Sequence, residues 1–324
     1  MKNLIRLIIF YISTAIYSGF PSPTLTEGVT GQPKSFLPSQ AETQTDKTIS
    51  HLLYKGLFKY DDNGTIVPDL AQKYTISKDG LVYTIKLKPH QKWSHGAEIT
   101  SDDLIYTAFK LPEFSGVATD KVDRYTVRYT LPSPFSPFLE FFTTGIMPVN
   151  AEEKQNPLMP ISNGDFQVIS IKKDGPAIKQ VVLRNKNKSA KFKKLIFRYY
   201  SNEKELLTSA KLREIDTFVL SQPQKINGFK LMKTPQTSVY YSLLFNLDSP
   251  EFEDEEFRLK LSQSLSVKEL VQDLGIPVQG AISRNPYTNQ RIKYDFYEPN
   301  LMPEFLDKEI EMIVPDIESQ KDLA

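Results

Sequence analysis

Asp61, Asn63 and Gly64 resemble the start of a calcium-binding loop, with oxygen donors at alternate positions ahead of the glycine. Such a loop needs a bidentate glutamate six residues beyond its glycine, and Leu70 stands there. Asn63-Gly64 and Asp79-Gly80 read instead as hairpin turns, because Asn, Asp and Gly tolerate positive φ. The adjacent acids Asp102 and Asp103 suggest an acid/base pair, yet helical neighbours point about 100° apart. Acids in a first turn mostly serve the helix dipole. His51, His90 and His95 are too scattered for a histidine-built metal cluster, and the chain has no cysteine. No G-x-S-x-G elbow, phosphate loop or H-E-x-x-H is present. The only tryptophan, Trp93, is expected to anchor packing rather than to stack on a ligand. Lys172 to Lys194 holds nine Lys or Arg against one acid, Asp174, with Phe192 as its one aromatic. A nucleic-acid surface would interleave exposed aromatics. This run suits a solvated rim or a surface facing acidic headgroups. These residue types favour binding over catalysis.

The elements that would position these groups follow from periodicity. With 324 residues, 40% of them hydrophobic, two or three domains are expected. A net charge of +1 provides no global field for nucleic acid. One short strand is expected within Thr24 to Ser50. Ile49, Leu52, Leu53 and Leu57 then predict a helix over Thr48 to Phe58, ending near Gly56. Leu81, Tyr83, Ile85 and Leu87 alternate as a half-buried strand, and Thr100 with Asp103 forms a capping box ahead of a helix. Further strands are expected over Tyr125 to Leu131, Asp165 to Lys172, Lys179 to Arg184 and Lys194 to Tyr200. A helix over Asn202 to Arg213 and a strand over Ile215 to Leu220 complete a crossover unit on a mixed sheet. Ser238 to Asn246 reads as a strand, Glu255 to Leu265 as a helix, and Ser266 with Glu269 as the cap of another.

Lys2 and Arg6 precede an apolar stretch, Leu7 to Phe20, closed by Pro21-Ser22-Pro23. Its length suits a signal-peptide core and is short for a full span. No clear A-x-A site follows, so residues 1–23 fit either a signal peptide or an N-terminal membrane anchor. Both imply export.

The stretch from Glu27 to Thr107 resembles the extracytoplasmic solute-binding proteins of ABC transporters, family 5, the peptide- and nickel-binding branch. G-x-P-x-x-x-x-P at Gly31 to Pro38, Y-x-G-L-F at Tyr54 to Phe58 and V-P-D-L-A at Val67 to Ala71 agree in order and spacing. So do S-x-D-G at Ser77 to Gly80, K-W-x-x-G at Lys92 to Gly96 and T-x-D-D at Thr100 to Asp103. The likeness continues more thinly through Leu195 to Asp216 and Phe245 to Val271. Three positions and one short stretch depart from the family pattern. His95 stands where Asp is usual, Arg213 where Gly is usual and Ser266 where Asp is usual, while Ser162 to Gln167 replaces an S-G-P-Y-like turn. These bear on turns and packing.

The resemblance implies an α/β periplasmic-binding-protein-like clamshell of class II. Lobe I would comprise residues 24–50 and 157–245, with 51–156 as its inserted subdomain and 246–324 as the start of lobe II. Glu42, Thr43 and Gln44 match a family stretch that lines the ligand cleft, Glu42 being suited to a cationic group. The implied partners are a peptide or similar solute, ABC permease subunits and, through the N-terminal segment, a membrane. Neither the residues nor the resemblance implies a nucleic acid, cofactor, metal or catalytic residue. Because family members run longer, an incomplete second lobe and weak peptide binding are expected. Two other readings also fit: a remnant without ligand affinity, and a membrane-anchored interaction protein.

Overall fold

The computed structural model describes residues 23–220, 224–232, 244–271 and 297–298. The chain divides into two compact units, Met1–Phe229 and Lys230–Ala324. Most of the strand expected over Ser238 to Asn246 and most of the expected second lobe lie outside the described residues.

The first unit opens with β1 (Thr24–Thr30) and α1 (Gln44–Leu53), followed by the hairpin β2 (Phe58–Tyr60) and β3 (Ile66–Pro68). Next come β4 (Ala71–Ile76), β5 (Val82–Leu87), α2 (Ser101–Lys110), β6 (Ala118–Asp123) and β7 (Thr126–Thr130), then the single turns α3 (Phe138–Phe141) and α4 (Ala151–Lys154). The long hairpin β8 (Phe166–Asp174) and β9 (Ala177–Asn185) leads to β10 (Lys194–Tyr200), α5 (Glu203–Lys211) and β11 (Thr217–Phe218). A five-stranded sheet has the order β11-β1-β10-β9-β8, and a four-stranded sheet the order β4-β5-β7-β6. In the larger sheet β1 runs parallel to both β10 and β11, while β8 and β9 are antiparallel. The sheet is therefore mixed, and α5 carries the chain from β10 over β1 to β11 as the crossover pattern requires.

Alternation accounts for the central strands. Tyr83, Ile85 and Leu87 of β5 are buried, as are Val127 and Tyr129 opposite them on β7. The main core runs from Phe36, Leu37 and Ile49 through these residues to Val181, Leu183 and Phe197. Phe114, Tyr129, Phe138 and Phe142 stack edge-on or tilted at 4.8–6.5 Å, fixing α3 and the residue after it against the small sheet.

The acids at the first turn shape the chain. Asp61 Oδ1 accepts hydrogen bonds from the N–H groups of Asn63 and Thr65, both at 2.9 Å. Gly64 sits at φ 79°, and its amide donates to the Asp61 carbonyl. A Cβ there meets nothing within 4 Å, so Gly64→Val is expected to cost only the left-handed backbone strain, about 1–2 kcal/mol. Urea unfolding checks this, and a midpoint that is unchanged by the substitution but rises with calcium contradicts it.

Asp103 does more than face a helix dipole. Its carboxylate accepts from the Thr100 amide at 2.9 Å, the Val149 amide at 3.0 Å and the Trp93 indole at 3.4 Å. Burial pushes its carboxyl above the ordinary range, against the downward pull of these donors. Trp93 is buried and meets Tyr54 edge-on at 6.5 Å, the packing role expected of it.

Some boundaries differ from the periodicity. α1 begins at Gln44, four residues before the predicted start, because the Thr43 hydroxyl caps it by accepting from the Asp46 amide. It ends at Leu53, where Tyr54 turns extended, so Gly56 is not its stop. β11 shrinks to two residues: Ile215 turns into the small core beside Leu206 and Ala210, and Val219 faces solvent. Arg213, standing where the resemblance expects glycine, holds φ at 60°, donates to the Gly228 carbonyl at 3.0 Å and lies 5.4 Å over the Phe229 ring.

In the second unit, α6 (Pro250–Glu253), α7 (Glu255–Ser264) and α8 (Val267–Val271) are described. Asp254 caps α7 through the Glu256 amide, and Arg258 ties α7 to α6 by donating to the Phe252 and Glu253 carbonyls. Ser266 caps α8, accepting from the Glu269 amide at 3.4 Å.

Candidate functional site

In open α/β sheets, ligands bind outside the carboxyl ends of the parallel strands. Here that edge belongs to β1, β10 and β11, and the segment from Gly31 to Gln44 rises from it. The Gly31 amide donates to the Tyr200 carbonyl at the end of β10. Gln32 then locks the segment to β9, its side-chain oxygen accepting from the Ile178 amide at 2.7 Å and its Nε2 donating to the Ile178 carbonyl at 3.1 Å. The Phe36 amide donates to the Pro157 carbonyl, and the Phe36 and Leu37 side chains are fully inside the core. Asp46, 0% exposed in the first turn of α1, accepts from the Lys34 amide at 3.2 Å. Ser35 accepts from the Leu37 amide and donates to the Gln40 side chain.

On this fixed base Glu42, Thr43 and Gln44 are adjacent and exposed. Thr43 spends its hydroxyl on the α1 cap. Glu42 pairs with Lys34, both side chains mostly in solvent, so the pair is weak and open to exchange with another cation. Gln44 opens the helix and presents its amide to solvent. At the end of β10, Asn202 caps α5 by accepting from the Glu205 amide, while the Ser201 amide donates to the Glu205 carboxylate. The edge thus offers a carboxylate, an ammonium and a side-chain amide on backbone that is pinned from below. The anchors Gln32, Lys34 and Asp46 carry no signal in the sequence, since their partners are distant or are backbone atoms. Among the described residues no group of three or more His, Asp or Glu could hold a metal ion.

Residues 65–311 match the profile of the bacterial extracellular solute-binding proteins, family 5, middle region. The oligopeptide-binding protein SarA of Streptococcus gordonii is 31% identical over 179 residues, 42% of this chain and 27% of SarA. The glutathione-binding protein GsiB of Pectobacterium atrosepticum is 32% identical over 117 residues, 32% of this chain and 22% of GsiB. Among solved structures, NikZ of Campylobacter jejuni in complex with Ni(L-His) aligns with a TM-score of 0.60 at 24% identity, covering 79% of this chain and 56% of NikZ. The alignments therefore span about a quarter of each curated relative and little over half of that structure. The fold is the periplasmic-binding-protein-like α/β fold that the motifs implied.

Proposed function

This chain belongs to the bacterial extracellular solute-binding proteins, family 5, and we propose that it captures peptides for an ABC transporter. The segment from Gly31 to Gln44 carries the reading: it leaves the carboxyl edge of the parallel strands, is pinned by Gln32 and Asp46, and holds Glu42 in solvent. A pinned polar segment loses little entropy when a ligand docks on it. The name of SarA supports an oligopeptide as the solute, and that of GsiB a related small peptide. In this reading the amino group of the peptide displaces Lys34 from Glu42, Gln44 hydrogen-bonds the peptide backbone, and Thr43 keeps α1 in place. No bond is made or broken. The loaded protein delivers its solute to permease subunits outside the cytoplasmic membrane, consistent with the charged and apolar pattern of residues 1–23.

A charge-assisted hydrogen bond contributes about 1.5–3 kcal/mol. Glu42→Gln is therefore expected to weaken binding of peptides with a free amino group about tenfold, and of N-acetylated peptides hardly at all. Lys34→Ala should shift affinity the other way by vacating the carboxylate. Fluorescence anisotropy with a labelled peptide pool measures both, and equal affinities for all three forms rule out Glu42 as the amine partner. Export is checked separately: protease added to intact cells, or to spheroplasts where an outer membrane is present, should degrade the protein, and full protection contradicts it.

A further inference from the structure

The basic run gains meaning from where the fold puts it. Arg184 to Lys194 contains six Lys or Arg and no acid. Register places Arg184 opposite Lys194 on β10 and Gln167 on β8, and Lys194 opposite Thr24 on β1. One end of the five-stranded sheet is thus built from the last residue pair of β9, the first of β10 and the loop between them. Asparagine turns set that loop: the Asn187 amide donates to the Asn185 side chain at 2.9 Å, and the Ser189 amide to the Asn187 side chain at 2.8 Å. The Asn185 amide closes the loop on the Lys193 carbonyl at 2.8 Å. Arg184, Lys186, Lys188, Lys191 and Lys194 are all exposed. Asp165, whose carbonyl accepts from the Lys186 amide, is already paired through its carboxylate with Lys55 at 2.8 Å.

The same end receives the chain from its N-terminal segment. The Lys193 amide donates to the Pro23 carbonyl at 2.9 Å. Only Pro21 and Ser22 separate Pro23 from Phe20, the last residue of the apolar stretch. That link spans at most about 10 Å fully extended, close to the Debye length of about 8–10 Å at physiological salt. An apolar stretch seated in a bilayer would therefore hold the six basic groups within reach of the headgroup charge.

We propose that the Arg184–Lys194 end of the sheet docks on anionic phospholipid headgroups, seating the first unit on the membrane where its N-terminal segment leaves the bilayer. β1 starts at this end and finishes at the edge carrying Gly31 to Gln44, so docking would turn the candidate solute edge outward. The inference concerns membrane contact alone and does not depend on solute capture.

The test places the full chain in vesicles of phosphatidylcholine, with or without about one quarter phosphatidylglycerol, and follows lysine acetylation by mass spectrometry. Each basic group near an anionic surface contributes about 1 kcal/mol, equivalent to about fivefold in an equilibrium. Acetylation of Lys188, Lys191 and Lys194 should slow about fivefold when phosphatidylglycerol is present and recover at high salt. Lys172, Lys173 and Lys179, about 13–20 Å from Arg184 along the β8–β9 hairpin toward its turn, should react equally in both vesicles. A triple variant, K188Q/K191Q/K194Q, should lose the phosphatidylglycerol-dependent part of vesicle flotation while keeping the wild-type unfolding midpoint. Equal acetylation in both vesicles, equal protection at both ends, or stronger protection by a single-stranded RNA at matched phosphate would overturn the proposal.

Discussion

Gly56→Ala is expected to destabilise the first unit by about 3 kcal/mol or more. A Cβ at Gly56 would lie 2.5 Å from the Phe142 carbonyl oxygen and 2.8 Å from those of Thr143 and Thr144. All three are backbone atoms and none can swing aside. The Phe142 carbonyl accepts from the Phe58 amide at 3.1 Å, and the Ile146 amide donates to the Lys55 carbonyl at 3.1 Å, so both chains are pinned where they cross. Relief would require separating them and opening the aromatic core around Phe142. Urea unfolding measures the loss, with Gly64→Ala as the comparison, where the added methyl has open space and the cost is about 1 kcal/mol. A Gly56→Ala midpoint no lower than that of Gly64→Ala would show that the crossing is looser than described.

Asp103→Ala is expected to cost about 3 kcal/mol, for a different reason. It strands the Thr100 and Val149 amides and the Trp93 indole, whose hydrogen bonds all end on one carboxylate. Each buried donor left unpaired costs about 1–3 kcal/mol, offset in part by relief of the burial that pushes the carboxyl up. Lost with it are the carboxylate half of the α2 capping box and the tether between α2 and the Val149 turn. Trp93 fluorescence should shift to longer wavelength as its ring loosens. A variant with wild-type stability and unchanged emission would reduce Asp103 to the first-turn acid that its position in the sequence suggests.

Both residues show how far the sequence could be read. The Thr100 capping box is local, four residues long, and was legible. The convergence of Trp93 and Val149 on the same carboxylate depends on chain 10 and 46 residues away and left no pattern. Gly56 looked like a helix stop, whereas its lack of a side chain serves a crossing with residues 142–144. The central strand β5 was plain because three alternate residues are buried. The edge strands β4 and β6 gave no such alternation: only Ala71 of β4 is buried, and no residue of β6 is. Glu42, Thr43 and Gln44 were reached through family resemblance alone, because an exposed polar triplet before a helix is otherwise an ordinary cap. Gln32 carries no local pattern, since its partner Ile178 lies 146 residues away.

Photo-crosslinking with a benzophenone-bearing peptide pool, mapped by mass spectrometry, tests most directly whether the carboxyl edge of the parallel strands receives solute. It registers weak as well as tight binding, because the adduct is covalent. The account predicts saturable adducts on Gly31 to Gln44 and on the ends of β10 and β11, displaced by unlabelled peptide and reduced in Glu42→Gln. Adducts scattered over the surface, insensitive to competitor, or confined to the opposite, Arg184–Lys194 end of the sheet would contradict it.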